Sequence, residues 1–575
     1  MDARPDTQTR SAASFFLEGL TEIGIDYLFC NFGTDHAPII EELARRRKRG
    51  EPAPKIVRCA HENTAAHMAG GYAVVTGRGQ GVLVHVDVGT ANSANAMHNL
   101  LRSRIPVLLM AGKAPFTTAN ELTGSRDTYV HFIQEPFDQA SLVRPYMKWE
   151  WTLPSGIVVK EALRRAHAIM HSEPQGPVYL MMARETLTQE WSPSEIRPCA
   201  PERLPAPGVA DPGHVAELAG RLLAARNPIL ITSYGGRNPN TSAAIDALAQ
   251  FAGIAVYEAS LVNNIAHDGP CFMGYNPARE IADADVGLLV DVDVPWFPRD
   301  TSSSSGSYWA QIDVDVLKTA SPMWSFPGNL RLQGDSARIL VQALERLRAV
   351  ATDKFRETVA RRRAEIAAQR AARIAHAAKL AAEPGAPDAI NVHYLLAELG
   401  KVLAPTDIVF DETITNAVPL AMQVPRSLPG TMIRAAGAGL GASGGMALGA
   451  KLAAPDRMIV NVVGDGSFYF NNPSSVYAAS RQYGLPILSV VLDNRGWGAV
   501  KEATLKVFPD GEARSTADYE AALCPDAELG KVAEAFGAYG EKLVDPKDAP
   551  AALARCVEKV RGGRAAVLHA RVAPI

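Results

Sequence analysis

Asp465 and Asn494 carry the two side-chain oxygens whose surroundings say most about chemistry. Asp465 sits in Gly464-Asp465-Gly466-Ser467, a tight turn after the apolar run 458–463, and Asn494 follows a second apolar run, 486–492. The 27 residues 467–493 separate the turn from Asn494, which opens Asn494-Arg495-Gly496-Trp497-Gly498. Two buried strands would thus carry a carboxylate and an amide oxygen to one edge of one sheet. Such hard oxygens suit Mg2+, which completes its octahedron with water and phosphate oxygens. The glycines let backbone N–H groups approach an anion, and the helix start after the turn favours negative charge. The spacing describes a metal-bridged diphosphate site. A lone Gly-Asp-Gly is a common turn; the second half at this distance makes it informative.

Proton-transfer groups lie elsewhere. Glu62, in Arg58-Cys59-Ala60-His61-Glu62-Asn63-Thr64, stands at a strand-to-helix junction, and Ala66, Ala69, Gly70 and Ala73 give that helix a close-packing face. Alone it reads as a first-turn acid favoured by the helix dipole. In an apolar pocket the same carboxyl would have a raised pKa and could share a proton. His85, in His85-Val86-Asp87-Val88-Gly89-Thr90-Ala91-Asn92, reads either as a satisfied strand histidine or as an acid/base. Asp35 and His36 follow Phe32-Gly33 and read as a substrate-facing pair or, for Asp35, as a helix N-cap.

Three segments must position these groups, and the fold class expected is α/β, with three doubly wound parallel-sheet domains. The first, residues 8–190, alternates helical patterns with strands at 27–32, 55–58, 81–86, 107–111 and 178–182. A proline-rich stretch, 191–212, reads as an extended linker. The central domain, 213–345, has strands near 228–232, 254–257, 286–290 and 309–313. Residues 346–387 form a helical linker rich in Ala and Arg, and 388–575 hold the diphosphate motif.

The 575-residue chain exceeds a single core. Its 58 basic and 61 acidic residues give a net charge of −3, so neither nucleic acid nor a membrane surface is indicated, and Arg361-Arg362-Arg363 reads as a solvated helix face. Six cysteines are scattered without paired spacing, as in a reducing compartment. No secretory leader or membrane span is expected, so the cytoplasm is the expected location.

His61-Glu62-x-x-Ala65-x-x-Met68-Ala69-x-Gly71-Tyr72-Ala73 resembles the glutamate motif of thiamine-diphosphate-dependent 2-oxo-acid decarboxylases and acetolactate synthases. The 464–498 block, Gly89-Thr90-Ala91-Asn92, Asp411-Glu412-Thr413 and Gly439-Leu440-Gly441 fall in that superfamily's order. The resemblance implies a pyrimidine-binding first domain, a central domain and a diphosphate-binding third domain. It implies Glu62 as the acid serving the cofactor's aminopyrimidine ring, supplied by one subunit to a cofactor held by another, in a homodimer or homotetramer. Asn92 lies in the same expected cofactor set. Leu440 would wedge the cofactor into its bent form, with the Ala438 carbonyl and Leu440 N–H at the pyrimidine. Glu412, Thr413, Gly464, Gly466 and Ser467 would surround the diphosphate. Asp465, Asn494 and the Gly496 carbonyl would hold Mg2+, with Trp497 and Gly498 alongside.

The implied reaction is non-oxidative decarboxylation of a 2-oxo acid through a C2-carbanion, with an acetolactate-synthase-like carboligase or related C–C lyase as the alternative. A non-catalytic cofactor-binding homologue is a weaker third reading. His85 resembles the active-site histidine of benzoylformate decarboxylases, four residues before Gly-Thr-x-Asn, and His267 falls near a second one. Phe132-Ile133-Gln134-Glu135 and Lys148 resemble acetolactate synthases, and Gln134 joins Asp35 and His36 as a substrate candidate. Two departures oppose a biosynthetic acetolactate synthase: Asp291-Val292-Asp293-Val294-Pro295 replaces its central arginine block, and Val500-Lys501-Glu502 its Gln-Trp-Gln segment. FAD is thereby disfavoured but left open, its one hint being the turn Ser233-Tyr234-Gly235-Gly236.

Overall fold

Continuous Val, Ile and Leu runs form strands covered on both faces, and the computed structural model collects them into three six-stranded parallel sheets. It describes residues 9–198, 203–524 and 526–574; Cys199 and part of the expected linker lie outside these. The first sheet contains β1 (Tyr27–Cys30), β2 (Lys55–Arg58), β3 (Gln80–Val84), β4 (Val107–Lys113), β5 (Glu150–Thr152) and β6 (Val178–Ala183). The central sheet contains β7 (Pro228–Thr232), β8 (Ala255–Glu258), β9 (Phe272–Tyr275), β10 (Val286–Val290), β11 (Tyr308–Asp313) and β12 (Leu330–Gln333). The third contains β13 (Ile408–Glu412), β14 (Met432–Ile433), β15 (Ile459–Gly464), β16 (Leu488–Asp493), β17 (Tyr539–Leu543) and β18 (Ala566–Arg571).

The first and third sheets share one order, β2-β1-β3-β4-β6-β5 and β14-β13-β15-β16-β18-β17, while the central sheet runs β9-β8-β7-β10-β11-β12. In such sheets ligands gather beyond the carboxyl ends of strands where the order reverses. That point lies between β1 and β3 in the first sheet, next to Asp35 and His85. In the third it lies between β13 and β15, next to Thr413 and Asp465. In the first two sheets the sequence pattern missed β5, β9 and β12, because these outer strands are short or, as in Leu330-Arg331-Leu332-Gln333, half polar; in the third it placed only β15 and β16.

Helices α1 (Glu62–Thr76), α2 (Val86–Arg102), α3 (Asp353–Ala381), α4 (Ala417–Gln423), α5 (Ser443–Ala453), α6 (Asp465–Phe470) and α7 (Gly498–Val507) carry the rest of the argument. Among the described residues no helix is long and apolar enough to cross a membrane. β3 ends at Val84, so His85, expected inside a strand over 81–86, instead becomes the N-cap of α2. The Ala/Arg stretch is two helices rather than one, because Thr352 caps α3 through Phe355 N.

α1 and α5 run side by side in the same direction, one from each outer sheet, with glycines at the contact. A Cβ on Gly71 would stand 2.0 Å from the Met446 carbonyl oxygen, and one on Gly449 would stand 1.9 Å from that of Met68. The two contacts mirror each other, as the shared strand order of their sheets requires. Backbone oxygens cannot retreat as a flexible side chain can, so Gly449→Ala should destabilise by about 3 kcal/mol or more. Gly220→Ala, on an exposed helical site with nothing within 4 Å, should be neutral or stabilising by up to about 1 kcal/mol. Thermal unfolding of the two variants checks this; equal midpoints would show that the helix contact yields.

Candidate active site

Asp465 opens α6 at the carboxyl end of β15, buried and beside Asp493 at the end of β16. Asp493 is fully engaged: its Oδ2 accepts from His569 Nε2 at 2.6 Å and Arg571 Nη1 at 2.8 Å, and its Oδ1 from Arg495 N at 2.9 Å. Burial opposes its charge, but His569 and Arg571 hold the carboxyl below its usual range. Asp465 has no such cations. Burial and the Asp493 charge push it up to about 7, against the pull of the Gly466 and Gly496 N–H groups.

Asn494 Oδ1 accepts from Gly496 N at 3.3 Å, folding the loop over this pair. Gly464 has open space where a side chain would stand, and a Cβ on Gly466 would lie 2.5 Å from Trp497 Cδ1, so the indole lies against that glycine. Ser467 is buried in α6, and Gly498 begins α7. Among the described residues no three His, Cys, Asp or Glu side chains form a metal cluster. The set here is mixed, one carboxylate with amide and backbone oxygens, which leaves positions for phosphate and water.

The 437–441 loop is gripped by side chains from the first sheet's helices. Asn99 Nδ2 donates to Gly439 O at 2.9 Å while its Oδ1 accepts from Gly439 N at 3.0 Å. Asn95 Nδ2 donates to Leu440 O at 3.0 Å and Asn63 Nδ2 to Gly441 O at 2.9 Å. The loop needs this support: Ala438 (φ +53°) and Gly441 (φ +95°) are both left-handed. These asparagines went unnoticed in the sequence, although Asn92, Asn95 and Asn99 recur at helical spacing on α2.

Two residues expected around the diphosphate are engaged within the chain. Glu412 is a carboxylate that caps α5: Oε1 accepts from Gly441 N (2.5 Å) and Ala442 N (3.2 Å), and Oε2 from Ser443 N (3.0 Å) and Asn471 Nδ2 (2.9 Å). It fills an anion position and cannot also donate to an anion. The Thr413 hydroxyl donates to Asp411 Oδ1 at 2.7 Å, so its proton is engaged too.

On the first sheet, Glu62 opens α1 and is buried, with Asn92 Nδ2 donating to its Oε2 at 3.0 Å. Oε1 accepts no hydrogen bond among the described residues. Asp35 is no helix cap. It lies in a 3-10 turn, Thr34–His36, and its Oδ1 accepts from His85 Nδ1 at 2.5 Å while its Oδ2 accepts from Val86 N at 3.1 Å. Two glycines make room: a Cβ on Gly33 would lie 2.0 Å from His85 Nδ1, and one on Gly112 would lie 1.6 Å from Asp35 Oδ2.

The Asp35 hydrogen bond raises the His85 pKa against its desolvation, and Asp35 stays low because His36 and His85 outweigh its burial. His36 is held below its ordinary value by burial and accepts Gly33 N–H at Nδ1. Gln134 adjoins His85, its Oε1 buried without a hydrogen bond. His131 completes the group, 3.1 Å from Thr34 Oγ1 and beside Arg184 Nη1. Nothing in its sequence context had singled it out. His267 is elsewhere, bonded to Glu258 Oε2 at 3.0 Å, and Lys148 serves a helix end through the Ile169 carbonyl at 2.7 Å.

Residues 10–142 match the thiamine pyrophosphate enzyme, N-terminal TPP binding domain, and residues 415–570 match the corresponding C-terminal TPP binding domain. The chain is a thiamine-pyrophosphate-dependent enzyme. It belongs to the 2-oxo-acid decarboxylase and acetolactate synthase superfamily, to which its relatives also belong. Benzoylformate decarboxylase of Pseudomonas aeruginosa is 26% identical over 507 residues, 86% of this chain and 87% of that protein. Acetolactate synthase large subunit of Haemophilus influenzae is 23% identical, covering 94% and 90% respectively. The crystal structure of benzoylformate decarboxylase from Polynucleobacter necessarius matches the fold with a TM-score of 0.79 at 18% identity, over 98% of this chain and 99% of that one.

The enzyme's central crevice, between β7 and β10, is occupied by its own side chains. Arg104 enters from the first sheet's side and pairs with Asp313 at 2.8 Å and Asp293 at 3.0 Å; Lys318 joins both, and Tyr234 OH donates to Asp293 Oδ2 at 2.7 Å. A Cβ on Gly236 would lie 1.7 Å from the Asn264 carbonyl oxygen, so that glycine serves packing and not a dinucleotide phosphate. The turn that had hinted at FAD is thus accounted for structurally.

Because the Asp35 bond is the first cause of the raised His85 pKa, Asp35→Asn should let His85 lose its proton at lower pH. NMR titration of the His85 ring against wild type checks this. An unchanged or raised midpoint would break the pairing.

Proposed function

We propose that this enzyme decarboxylates a 2-oxo acid non-oxidatively, using thiamine diphosphate and Mg2+ at a site completed between two copies of the chain. The Asp35–His85 pair carries the reading: a histidine at the switch point of the first sheet, its Nδ1 held by a buried carboxylate that raises its proton affinity. The residues fit both groups. Asp465 is a buried carboxylate without a cation, as a divalent ion would require, and Asn494 and the Gly496 carbonyl supply further hard oxygens. Open space at Gly464, with the Gly466 and Ser467 backbone beside it, suits a diphosphate. Bound there, the cofactor supplies the electron sink that loss of CO2 from a 2-oxo acid needs.

The chain's own groups divide the remaining work. Asn92 fixes Glu62 Oε2 so that Oε1 can hold a proton. Asn63, Asn95 and Asn99, with Glu412, hold the Ala438–Leu440 backbone in its left-handed bend. Asp35 fixes Nδ1 of His85, so the proton delivered or taken is the one at Nε2. His36, Gln134 and His131 line the substrate side, where a small organic acid would be oriented.

Association of copies is supported by what one chain leaves exposed. Tyr129, Phe132, Ile133 and Phe137 flank Gln134 at the surface, and Trp497, Val500, Val507 and Phe508 do so around α7. Among the described residues no hydrogen bond or ion pair joins Glu62 or His85 to 464–498. A homodimer or homotetramer would cover both faces. The unpaired cysteines, with Cys59 and Cys556 thiols pushed to about 12 by burial, support a cytoplasmic setting.

A carboligase of acetolactate-synthase type is the second reading, favoured by Gln134 next to His85. A panel of 2-oxo acids, assayed for CO2 with product identification, separates the two: an aldehyde product supports the proposal and a hydroxyketo acid overturns it. Glu62→Gln should lower turnover by about 100-fold or more while cofactor binding stays measurable. Near-normal turnover would remove Glu62 from the mechanism. Asp465→Ala should abolish Mg2+-dependent cofactor retention in calorimetry, and retention at wild-type affinity would move the metal elsewhere.

A further inference from the structure

A cleft of about 660 Å3 opens between β9, the C-terminal half of α3 and α4, apart from every residue assigned above to the active site. Its walls are largely apolar, with Phe272, Met273, Val418 and Met422 among them, and its volume is that of a small-molecule site. Its basic side chains are unevenly engaged. Arg373 pairs with Glu280, and His267 is held between Glu258 Oε2 and Arg426 N, at 3.0 and 3.1 Å. Arg370 reaches only the His267 and Asp268 carbonyls, at 3.5 and 3.4 Å, and forms no ion pair among the described residues.

Arg426, buried, gives Nη2 to the carbonyls of Ala404, Pro405 and Asp407 at 2.8, 2.7 and 2.5 Å. Its Nη1 makes no hydrogen bond among the described residues, and it too has no ion pair there. The Arg370 guanidinium at an apolar cleft matches a carboxylate, which accepts from both teeth of the fork. Asp268, on the same lip, disfavours an anion of higher charge such as a phosphate monoester.

We propose that this cleft binds an organic monocarboxylate with an aromatic or branched aliphatic body, its carboxylate on Arg370 and its body between β9 and α4. Calorimetric titration of the enzyme, saturated with thiamine diphosphate and Mg2+, with 4-phenylbutyrate tests it. A saturable heat is expected, weakened about 10-fold or more in Arg370→Gln and by the same factor when 4-phenylbutanamide replaces the acid. Arg370→Gln should keep wild-type turnover, since Arg370 belongs to no part of the catalytic set. Three results would overturn the site: no binding to wild type, equal binding to Arg370→Gln (which would move the probe to the active site), or equal binding of acid and amide. Ile374→Arg, on the exposed lip, addresses another occupant. A change in sedimenting mass would make the cleft a contact between copies and overturn the proposal, whereas unchanged mass supports it.

Discussion

The backbone-to-backbone approach of α1 and α5 is the constraint on which the site depends. Only glycine at 71 and 449 lets each helix reach the other's carbonyl oxygen, and that approach places the first turn of α1 beside the first turn of α5. Glu62 and Asn63 begin one helix; Gly441 and Ser443 lead into the other. One or two added methyls would push the axes apart and pull Asn63, Asn95 and Asn99 off the 437–441 carbonyls. The left-handed Ala438 would then lose the bonds that hold it. Packing at the helix contact is in this sense upstream of the chemistry.

The two switch points handle buried charge differently. In the third sheet, Asp493 takes His569 and Arg571, and Asp465 is left beside a second carboxylate with no cation of its own, its pKa pushed up to about 7. Close like charges in a low dielectric are unfavourable by several kcal/mol unless a cation intervenes. That imbalance is what a metal site requires. In the first sheet the charge is closed internally: Asp35 is matched by His85 and by Val86 N–H, so no outside ion is called for. The first site can therefore hold and exchange a proton, while the third is the one that a bound cation would relieve.

Much of this was legible in the sequence where residue type and spacing were both constrained. The Gly-Asp-Gly turn and Asn494 stand at strand ends because parallel strands show as unbroken apolar runs. The matches of residues 10–142 and 415–570 agree with the resemblance drawn from the glutamate motif. What escaped was long-range partnership. Nothing near Asp35 says that His85, 50 residues on, fills the space a glycine leaves at 33. Arg104 reads as an ordinary surface arginine until Asp293 and Asp313 close on it. The resemblance placed Glu412 around the diphosphate, and only the five-atom cradle at the start of α5 shows that it also caps a helix.

The Asp35–His85 pair also ties function to stability, with a definite sign. Asp35, lowered in the fold, contributes stability above its ordinary carboxylate pKa, near 3.9, and loses it as pH falls through the lowered value. His85, raised, contributes fully below its ordinary value near 6.5 and loses that as pH rises through the raised value. Both contributions are therefore complete only between those ordinary values. His36 and His67 work the other way: burial lowers both, His67 to about 4, so the unfolded chain binds their protons first and stability falls below about 6.5. Two buried neutral histidines thus erode on the acid side what one ion pair adds there.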